Sequence, residues 1–305
     1  MIDLGPGGTI AVVDVGGTEI KTAVLDPTGQ LTDIEHRDTP QGPQAAKAIL
    51  AITSQHADLV RRIHGEVDAV GLIVPGVVDA GRGVAVFSEN LAWSDVPFQR
   101  LAAQATGVPV GFGHDVAAAG HAEMRYGAAR ECTNAAVLVV GTGIAAALFV
   151  DGKPLLRGGW AGEIGHSIVV PGGPACRCGS KGCLEAIASS AAIGHRYTLA
   201  SGIAVAGSKQ VLDRRNDGDV TAQQVWDEAI DALAAGIRQL AAIVSPEVVV
   251  IGGGLSRAGA DLLEPLTAAM AREIPPHRVP QLRRAAIGAY AGLVGAALLG
   301  RQALQ

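Results

Sequence analysis

Three of the chain's four cysteines, Cys176, Cys178 and Cys183, fall within eight residues, and His166 stands ten positions before the first of them. Three thiolates and one imidazole make a complete ligand set for tetrahedral Zn²⁺ in a closed structural site. One residue separates Cys176 from Cys178, while the longer step to Cys183 lets the chain fold back, and Gly179 and Gly182 supply the sharp turns such a knuckle needs. A buried thiol cluster or a disulfide is the competing reading. Three clustered cysteines would leave one unpaired, and disulfides are rare in the cytosol, so zinc is the expectation. Two carboxylates, Glu163 and Glu185, bracket the loop; a bound ion would fix their positions, as a site for polar ligands requires.

Further chemistry sits on glycine turns. The run Asp14-Val15-Gly16-Gly17-Thr18-Glu19-Ile20-Lys21 joins two apolar stretches of strand character. It is not a P-loop, which needs GxxxxGK[ST] spacing and a following helix. With no side chain at Gly16 or Gly17, an anion could still approach the backbone amides; Thr18 and Lys21 would add a hydroxyl and a cation, and Asp14 stands where hydrated Mg²⁺ could be held. A purely structural hairpin turn explains the segment equally well. Gly141-Thr142-Gly143 follows a second strand-like run, Ala135–Val140. With Ile144-Ala145-Ala146 it fits the loose dinucleotide fingerprint G-x-G-x-x-[GA], but that motif must open a helix. Here Ala146–Val150 reaches the hairpin signal Asp151-Gly152 within a few residues, so a second strand–turn–strand unit, repeating the first, is expected. Gly252-Gly253-Gly254 lies between a strand at Glu247–Ile251 and a helix after Ser256, which could cap it. Helix N-terminal amides facing such a loop suit a nucleotide; a plain tight turn fits as well. Taken alone, Asp115 after His114 reads as a helix N-cap. Asn90, in Glu89-Asn90-Leu91-Ala92-Trp93, reads as a loop residue beside a core tryptophan.

Together these segments resemble the ROK family of bacterial sugar kinases and sugar-responsive repressors. The family's zinc signature, G-E-x-G-H followed by C-x-C-G-x-x-G-C-x-E, is met at every position, and so is its first phosphate motif, D-x-G-G-T-x-x-K, at Asp14–Lys21. The resemblance runs from Thr9 to about Leu299. It implies an α/β, two-lobed actin/hexokinase-like (ribonuclease H-like) fold with a cleft between the lobes. It implies Asp115 as catalytic base, with Asn90, His114, Asp115, Glu163, His166 and Glu185 on the sugar, and His166 shared with zinc. It further implies ATP held at Gly16, Gly17, Thr18, Lys21, Thr142 and Gly143, with Mg²⁺ near Asp14 and adenosine at Gly253 and Gly254. Two departures stand out. The family carries asparagine before the aspartate, where this chain has His114. Its second phosphate motif is G-T-G-I-G-G-G, whose later glycines are here Ala145, Ala146 and Ala147. The first changes the character of one sugar contact, and the second narrows the approach to phosphate.

The elements that must position these residues divide into a small lobe at 1–116, with a C-terminal helix at 286–303 packing back on it, and a large lobe at 117–285 that carries the zinc loop. Val67–Val74 and Val108–Phe112 read as buried strands. Pro43–Ile63, Ala186–Ala200 and Thr221–Val244 read as helices, the last stopped by Ser245-Pro246.

Composition narrows the function classes. The 305 residues are 49% apolar and 17% charged, which describes a globular chain, and at 3% aromatic its cores must be built from Ala, Val, Leu and Ile. A net charge of −5 gives no footprint for nucleic acid or an anionic membrane. Two apolar stretches, Ala135–Val150 and Ala285–Gly300, are each 16 residues and broken by glycine, short of the roughly 20 a membrane span needs. The opening residues lack a secretory pattern, and clustered thiols point to the cytoplasm. A repressor would need a DNA-binding helix-turn-helix ahead of the first glycine turn, for which the sequence leaves no room. The expected activity is ATP-dependent phosphorylation of a hexose hydroxyl, with glucose to glucose 6-phosphate favoured by overall likeness to actinobacterial glucokinases. The alternatives are a sugar-binding pseudokinase or a kinase for fructose, allose, mannose or an N-acetylhexosamine. ATP, Mg²⁺ and structural Zn²⁺ are the expected cofactors, and a homodimer the assembly the resemblance implies.

Overall fold

The computed structural model describes residues 2–272 and 279–305. They form two compact units: one of residues up to Tyr126 with Leu156–Ala161 and Ala289–Gln305, the other of Gly127–Leu155 and Gly162–Gly288. The first unit thus runs to Tyr126 where the sequence reading draws its boundary at 116, because the helix that Asp115 opens stays with the strand preceding it.

In the first unit a five-stranded sheet has the order β3-β2-β1-β4-β8. β1 (Ile10–Val15) is buried along its whole length, as a run apolar at every position but Asp14 demands of a strand covered on both faces. β2 (Glu19–Leu25) pairs antiparallel with it, setting Asp14 opposite Lys21, and β3 (Leu31–Asp38) forms the edge. β4 (Ala69–Val74) and β8 (Val110–His114) continue the sheet in parallel. α1 (Ala45–His64) buries Ile49, Ala57 and Val60. α2 (Phe98–Thr106) and α3 (Asp115–Tyr126) follow β7 and β8. α9 (Ala291–Gln302), built almost wholly of small and aliphatic residues, lies against β1, β4, β8 and α3. It approaches so closely that a Cβ at Gly71 or Gly111 would stand 2.0 Å from the carbonyl oxygen of Ala296 or Leu299. A small antiparallel sheet of β5 (Val77–Asp79), β6 (Val84–Ser88) and β7 (Trp93–Val96) completes the unit. The sequence reading has no counterpart for it. Trp93 meets Phe98 edge-on at 5.2 Å between centroids, and Phe98 stacks on Phe112 at 6.0 Å.

The second unit repeats the plan with the order β11-β10-β9-β12-β13. β9 (Ala135–Val140) and β10 (Ile144–Val150) form an antiparallel hairpin, extended by β11 (Lys153–Pro154) through the Asp151-Gly152 turn, while β12 (Val248–Gly252) and β13 (Gln281–Arg284) run parallel to β9. Gly143 therefore leads into a strand, which disposes of the dinucleotide fingerprint. α7 (Val220–Val244) buries Val225, Trp226, Ile230, Leu233, Ile237 and Leu240 at helical spacing; Asp219 caps its start, and Ser245 ends it in a left-handed conformation before Pro246. α6 is Ser208–Asn216.

Three sequence-based boundaries shift. The helix expected from 186 is broken in two, α4 (Glu185–Ala188) and α5 (Ser190–Ser201), because Ser189 is extended and its hydroxyl caps α5 by accepting from the Ala192 amide. Ser256 does not cap α8 (Ala260–Arg272). Its hydroxyl donates to the Gly253 carbonyl at 2.8 Å within a 3-10 turn, and α8 starts beyond Gly259. The last helix begins at Ala291, after a separate 3-10 turn at Gly288–Tyr290. Among the described residues no helix is long and apolar enough to cross a membrane.

Candidate functional site

On the first unit, the β1–β2 turn is held from its carbonyl side. The Thr39 hydroxyl donates to the Gly16 carbonyl at 2.8 Å, the Gln41 side-chain amide to that of Gly17 at 3.0 Å, and the Thr39 amide to that of Thr18 at 3.0 Å. The Gly17 and Thr18 amides make no hydrogen bond to another described residue. A Cβ at Gly17 would meet nothing within 4 Å, so packing does not demand glycine there. A bare backbone with available amides is the arrangement an approaching phosphate needs.

Asp14, next to this turn, is only 8% exposed. Its Oδ2 lies 3.9 Å from Lys21 Nζ, which is shared with Glu19 at 3.8 Å. Burial pushes its carboxyl up to about 7; Lys21 opposes the shift, and the charges of Asp115 and Glu19 add to it. The carboxylate fits only because α9 presents Gly292, where a Cβ would stand 2.3 Å from Oδ2. A buried acid with one distant cation for a partner is suited to a hard divalent ion.

His114 ends β8 and Asp115 opens α3. His114 Nε2 lies 3.0 Å from Asp115 Oδ1, and the Val116 amide donates to the same oxygen at 2.7 Å. An N-cap carboxylate reaches an amide two or three residues on, so Asp115 is not acting as one. Asn90 is exposed on the turn joining β6 to β7.

On the second unit, the β9–β10 turn closes through the Gly141 amide on the Gly143 carbonyl at 2.9 Å, and the Ser190 amide donates to the Gly141 carbonyl at 2.8 Å. Glu185, at the start of α4, accepts from the Ile144 amide at 2.8 Å. Its Oε2 would stand 2.7 Å from a Cβ at Gly143; the glycine is what admits the carboxylate. Thr142 is exposed beside it. Ala146 and Ala147 are buried in β10 and only Ala145 is half-exposed, so at most one of the three alanines presents a methyl group to a ligand. Gly253 (φ +76) presses against Val140, where a Cβ would lie 2.4 Å from the carbonyl oxygen, while Gly254 has no neighbour within 4 Å. The first glycine is explained by the fold and the second is not.

The segment carrying Glu163 and His166 runs alongside β10, tied by the Gly162 carbonyl accepting from the Ala146 amide at 2.8 Å. The His166 ring faces two ways: Nδ1 is 3.7 Å from Cys176 Sγ, and Nε2 is 4.0 Å from Glu163 Oε2. Ligand atoms of His166, Cys176, Cys178 and Cys183 all lie within 4.8 Å of one another. Cys178 and Cys183 sulfurs are 3.7 Å apart, close to the about 3.8 Å edge of a tetrahedron with Zn–S bonds of roughly 2.3 Å. Turns at Gly179 (φ +89) and Gly182 (φ +77) shape the knuckle, and bridges Ala175–Lys181 and Ile168–Cys183 close it. The donor set fits zinc. Without an ion, burial pushes the Cys183 thiol up to about 12, so metal binding must expel its proton.

The structure therefore brings the metal quartet together and links it through Glu185 to the β9–β10 turn. It also places Asp14 within the electrostatic reach of Asp115. The sequence reading missed Thr39, Gln41, Ser190 and Gly292. Nothing local marks them: each acts through a contact made far along the chain.

Residues 10–303 match the pattern of the ROK family. A glucokinase of Thermotoga maritima is 33% identical over 311 residues, covering 93% of this chain and 95% of the relative. An N-acetylmannosamine kinase of Escherichia coli O1:K1 is 33% identical over 302 residues, covering 96% and 98%. The crystal structure of a ROK family glucokinase from Streptomyces griseus in complex with glucose and AMPPNP superposes with a TM-score of 0.82 at 30% identity, covering 97% of this chain and 100% of that one. The fold is accordingly the actin/hexokinase-like one. Because the family pattern covers residues 10–303 and so takes in both compact units, the chain belongs to the ROK family.

Proposed function

We propose that this sugar kinase transfers the γ-phosphoryl group of ATP to glucose, giving glucose 6-phosphate. The observation that carries the choice of sugar is the full-length likeness, at 30% identity, to a glucokinase solved with glucose and AMPPNP. In this reading Asp115 takes the proton of the attacking hydroxyl, and Asn90, His114, Glu163, His166 and Glu185 hold the remaining hydroxyls. The Gly16–Thr18 and Thr142–Gly143 turns, with Lys21, receive the phosphates, and Gly253 and Gly254 lie against adenosine. Phosphoryl transfer has a loose transition state, so positioning and charge neutralisation do most of the work. Mg²⁺ near Asp14, when bound, supplies neutralising charge to the phosphates, and Zn²⁺ on His166, Cys176, Cys178 and Cys183 fixes the carboxylates beside it. Glu185 supports this division of labour, since one side chain touches the phosphate turn and follows the knuckle by two residues.

A hexose panel assayed for ADP release with ATP and Mg²⁺ tests the proposal. Glucose should give the highest kcat/KM. A higher value for N-acetylmannosamine, the substrate named for a relative 33% identical over 302 residues, would replace glucose, and no turnover with any sugar would leave a binding protein. Clustered thiols belong to a reducing compartment, which supports a cytoplasmic location; the homodimer rests on the family resemblance alone, and light scattering on the purified protein measures its assembly.

A further inference from the structure

His114 is the one residue of the implied sugar site that departs from the family pattern, and its placement gives it a task. Asp115 Oδ1 is engaged twice, by the Val116 amide at 2.7 Å and by His114 Nε2 at 3.0 Å. Both side chains are mostly enclosed, at 19% and 25% exposure, where an ion pair is less screened than on an open surface. Oδ2 is the oxygen left to take a proton. We propose that His114 is a positioning residue for phosphoryl transfer: neutral, it donates Nε2–H to Oδ1 of Asp115 and presents Oδ2 to the sugar hydroxyl; protonated, it becomes the cation of an ion pair that weakens the base.

The inference rests on the reading of Asp115 as base. The hydroxyl O–H bond breaks as its proton moves to Oδ2, the freed oxygen pair forms the bond to the γ-phosphorus of ATP, and the bond from that phosphorus to the β–γ bridging oxygen breaks with its electron pair leaving on ADP, so no further reactant is needed. A cation within about 4–6 Å lowers a carboxyl pKa by roughly 1–3 units, and a weaker base is a poorer proton acceptor in the transition state. An asparagine amide could hold Oδ1 but could not acquire that charge. The other charged groups on elements packed against β8 are few. β4 carries none; β5 has Asp79, which accepts from the Arg82 amide; α2 has Arg100, which is exposed; α9 has Arg301, which donates to the Leu4 carbonyl. α3 adds His121, Glu123 and Arg125 in later turns. Asp14, with Lys21 beside it, acts on the pair through its field on Asp115.

The test is the pH profile of kcat at saturating sugar and ATP, with sugar binding measured by calorimetry to show that each variant is folded. If protonation of His114 weakens the base, wild-type kcat should fall about tenfold between pH 8 and 5.5. Asp115→Asn should lose about 10²–10⁴ in kcat at every pH while retaining sugar binding. His114→Asn should lower the pH 8 plateau a few-fold and flatten the acid fall to about twofold, and His114→Gln, a second neutral donor, should do likewise. His114→Ala, with no donor, should lower the plateau further than either. If Asp115→Asn turns over like wild type, the base reading itself fails. If Asp115→Asn is inactive while His114→Asn and His114→Gln keep the wild-type profile, the base stands and the role of His114 is overturned.

Discussion

Two side chains of the candidate site are best understood from what surrounds them atom by atom. Asp14 is a carboxylate whose burial raises its pKa from 3.8 to about 7. A group shifted upward on folding contributes its full stabilisation below the unfolded value and loses it as pH rises through the folded one. Stability therefore falls as pH rises from about 4 to 7 and Asp14 ionises, a loss that Lys21 offsets in part and a bound cation would offset further. Asp14→Asn, equal in shape and uncharged, should match wild type in denaturant midpoint near pH 4 and exceed it at pH 8, while turnover falls. A midpoint difference that stays constant across that range would mean the carboxyl is not strained by burial. Glu185 presents the opposite case, a carboxylate that fits because its neighbour lacks a side chain. Gly143→Ala puts a methyl carbon where Oε2 now stands 2.7 Å away and should break the bond to the Ile144 amide. A displacement of this kind in a positioned group costs about 10²-fold, so kcat/KM for sugar should fall by that order while thermal stability changes little. An unchanged kcat/KM would remove Glu185 from the site.

At the scale of elements, what the sequence disclosed and what it withheld follow from the range of the interactions. The two glycine hairpins were legible because each is local: apolar runs flank the turn, and Asp151-Gly152 rules out a helix after Gly143. The knuckle was legible because its four ligands lie within 18 residues, His166 to Cys183. The break at Ser189 was not, since an alanine-rich run with good helix propensity hides a serine that caps the second piece. Nor was the β5–β7 sheet, whose strands are only three to five residues long. The knuckle also carries a prediction. Cys183 is its buried ligand, and its amide neighbour Leu184 donates to the Ser167 carbonyl at 2.9 Å, one residue past His166. Cys183→Ser should abolish stoichiometric zinc, measured by elemental analysis, and weaken sugar affinity about tenfold or more, as loss of a support for ligating groups typically does. Full sugar affinity in a zinc-free, folded variant would separate the metal from the substrate site.

For the molecule as a whole, the repeated sheet order is the main result that motif reading anticipated only in part. The two hairpins predicted a duplication, but the parallel strands that complete it, β4 with β8 and β12 with β13, pair across long stretches of chain; β4, β8 and β12 leave no local trace beyond apolar runs, and β13, Gln-Leu-Arg-Arg, not even that. Each unit owns a separate core: Val13, Ile20, Leu72, Trp93 and Phe112 belong to one cluster, and Leu138, Ile187, Trp226, Leu233 and Ile251 to the other. With aromatics scarce, each core is filled by small aliphatic side chains and by close backbone approach, of which α9 on Gly71 and Gly111 is the clearest instance. Separate cores unfold locally with separate free energies, and Leu184 and Ile187, one and four residues after Cys183, belong to the second. Chelation should therefore act on one unit. In hydrogen exchange after zinc removal, protection should fall first in Glu163–Ala188 and then in α7, which packs on α4, while the amides of β1, β4 and β8 keep their rates. A loss of protection spread evenly over both sheets would show that the cores stand or fall together, and that the ion stabilises the whole chain and not the unit that binds it.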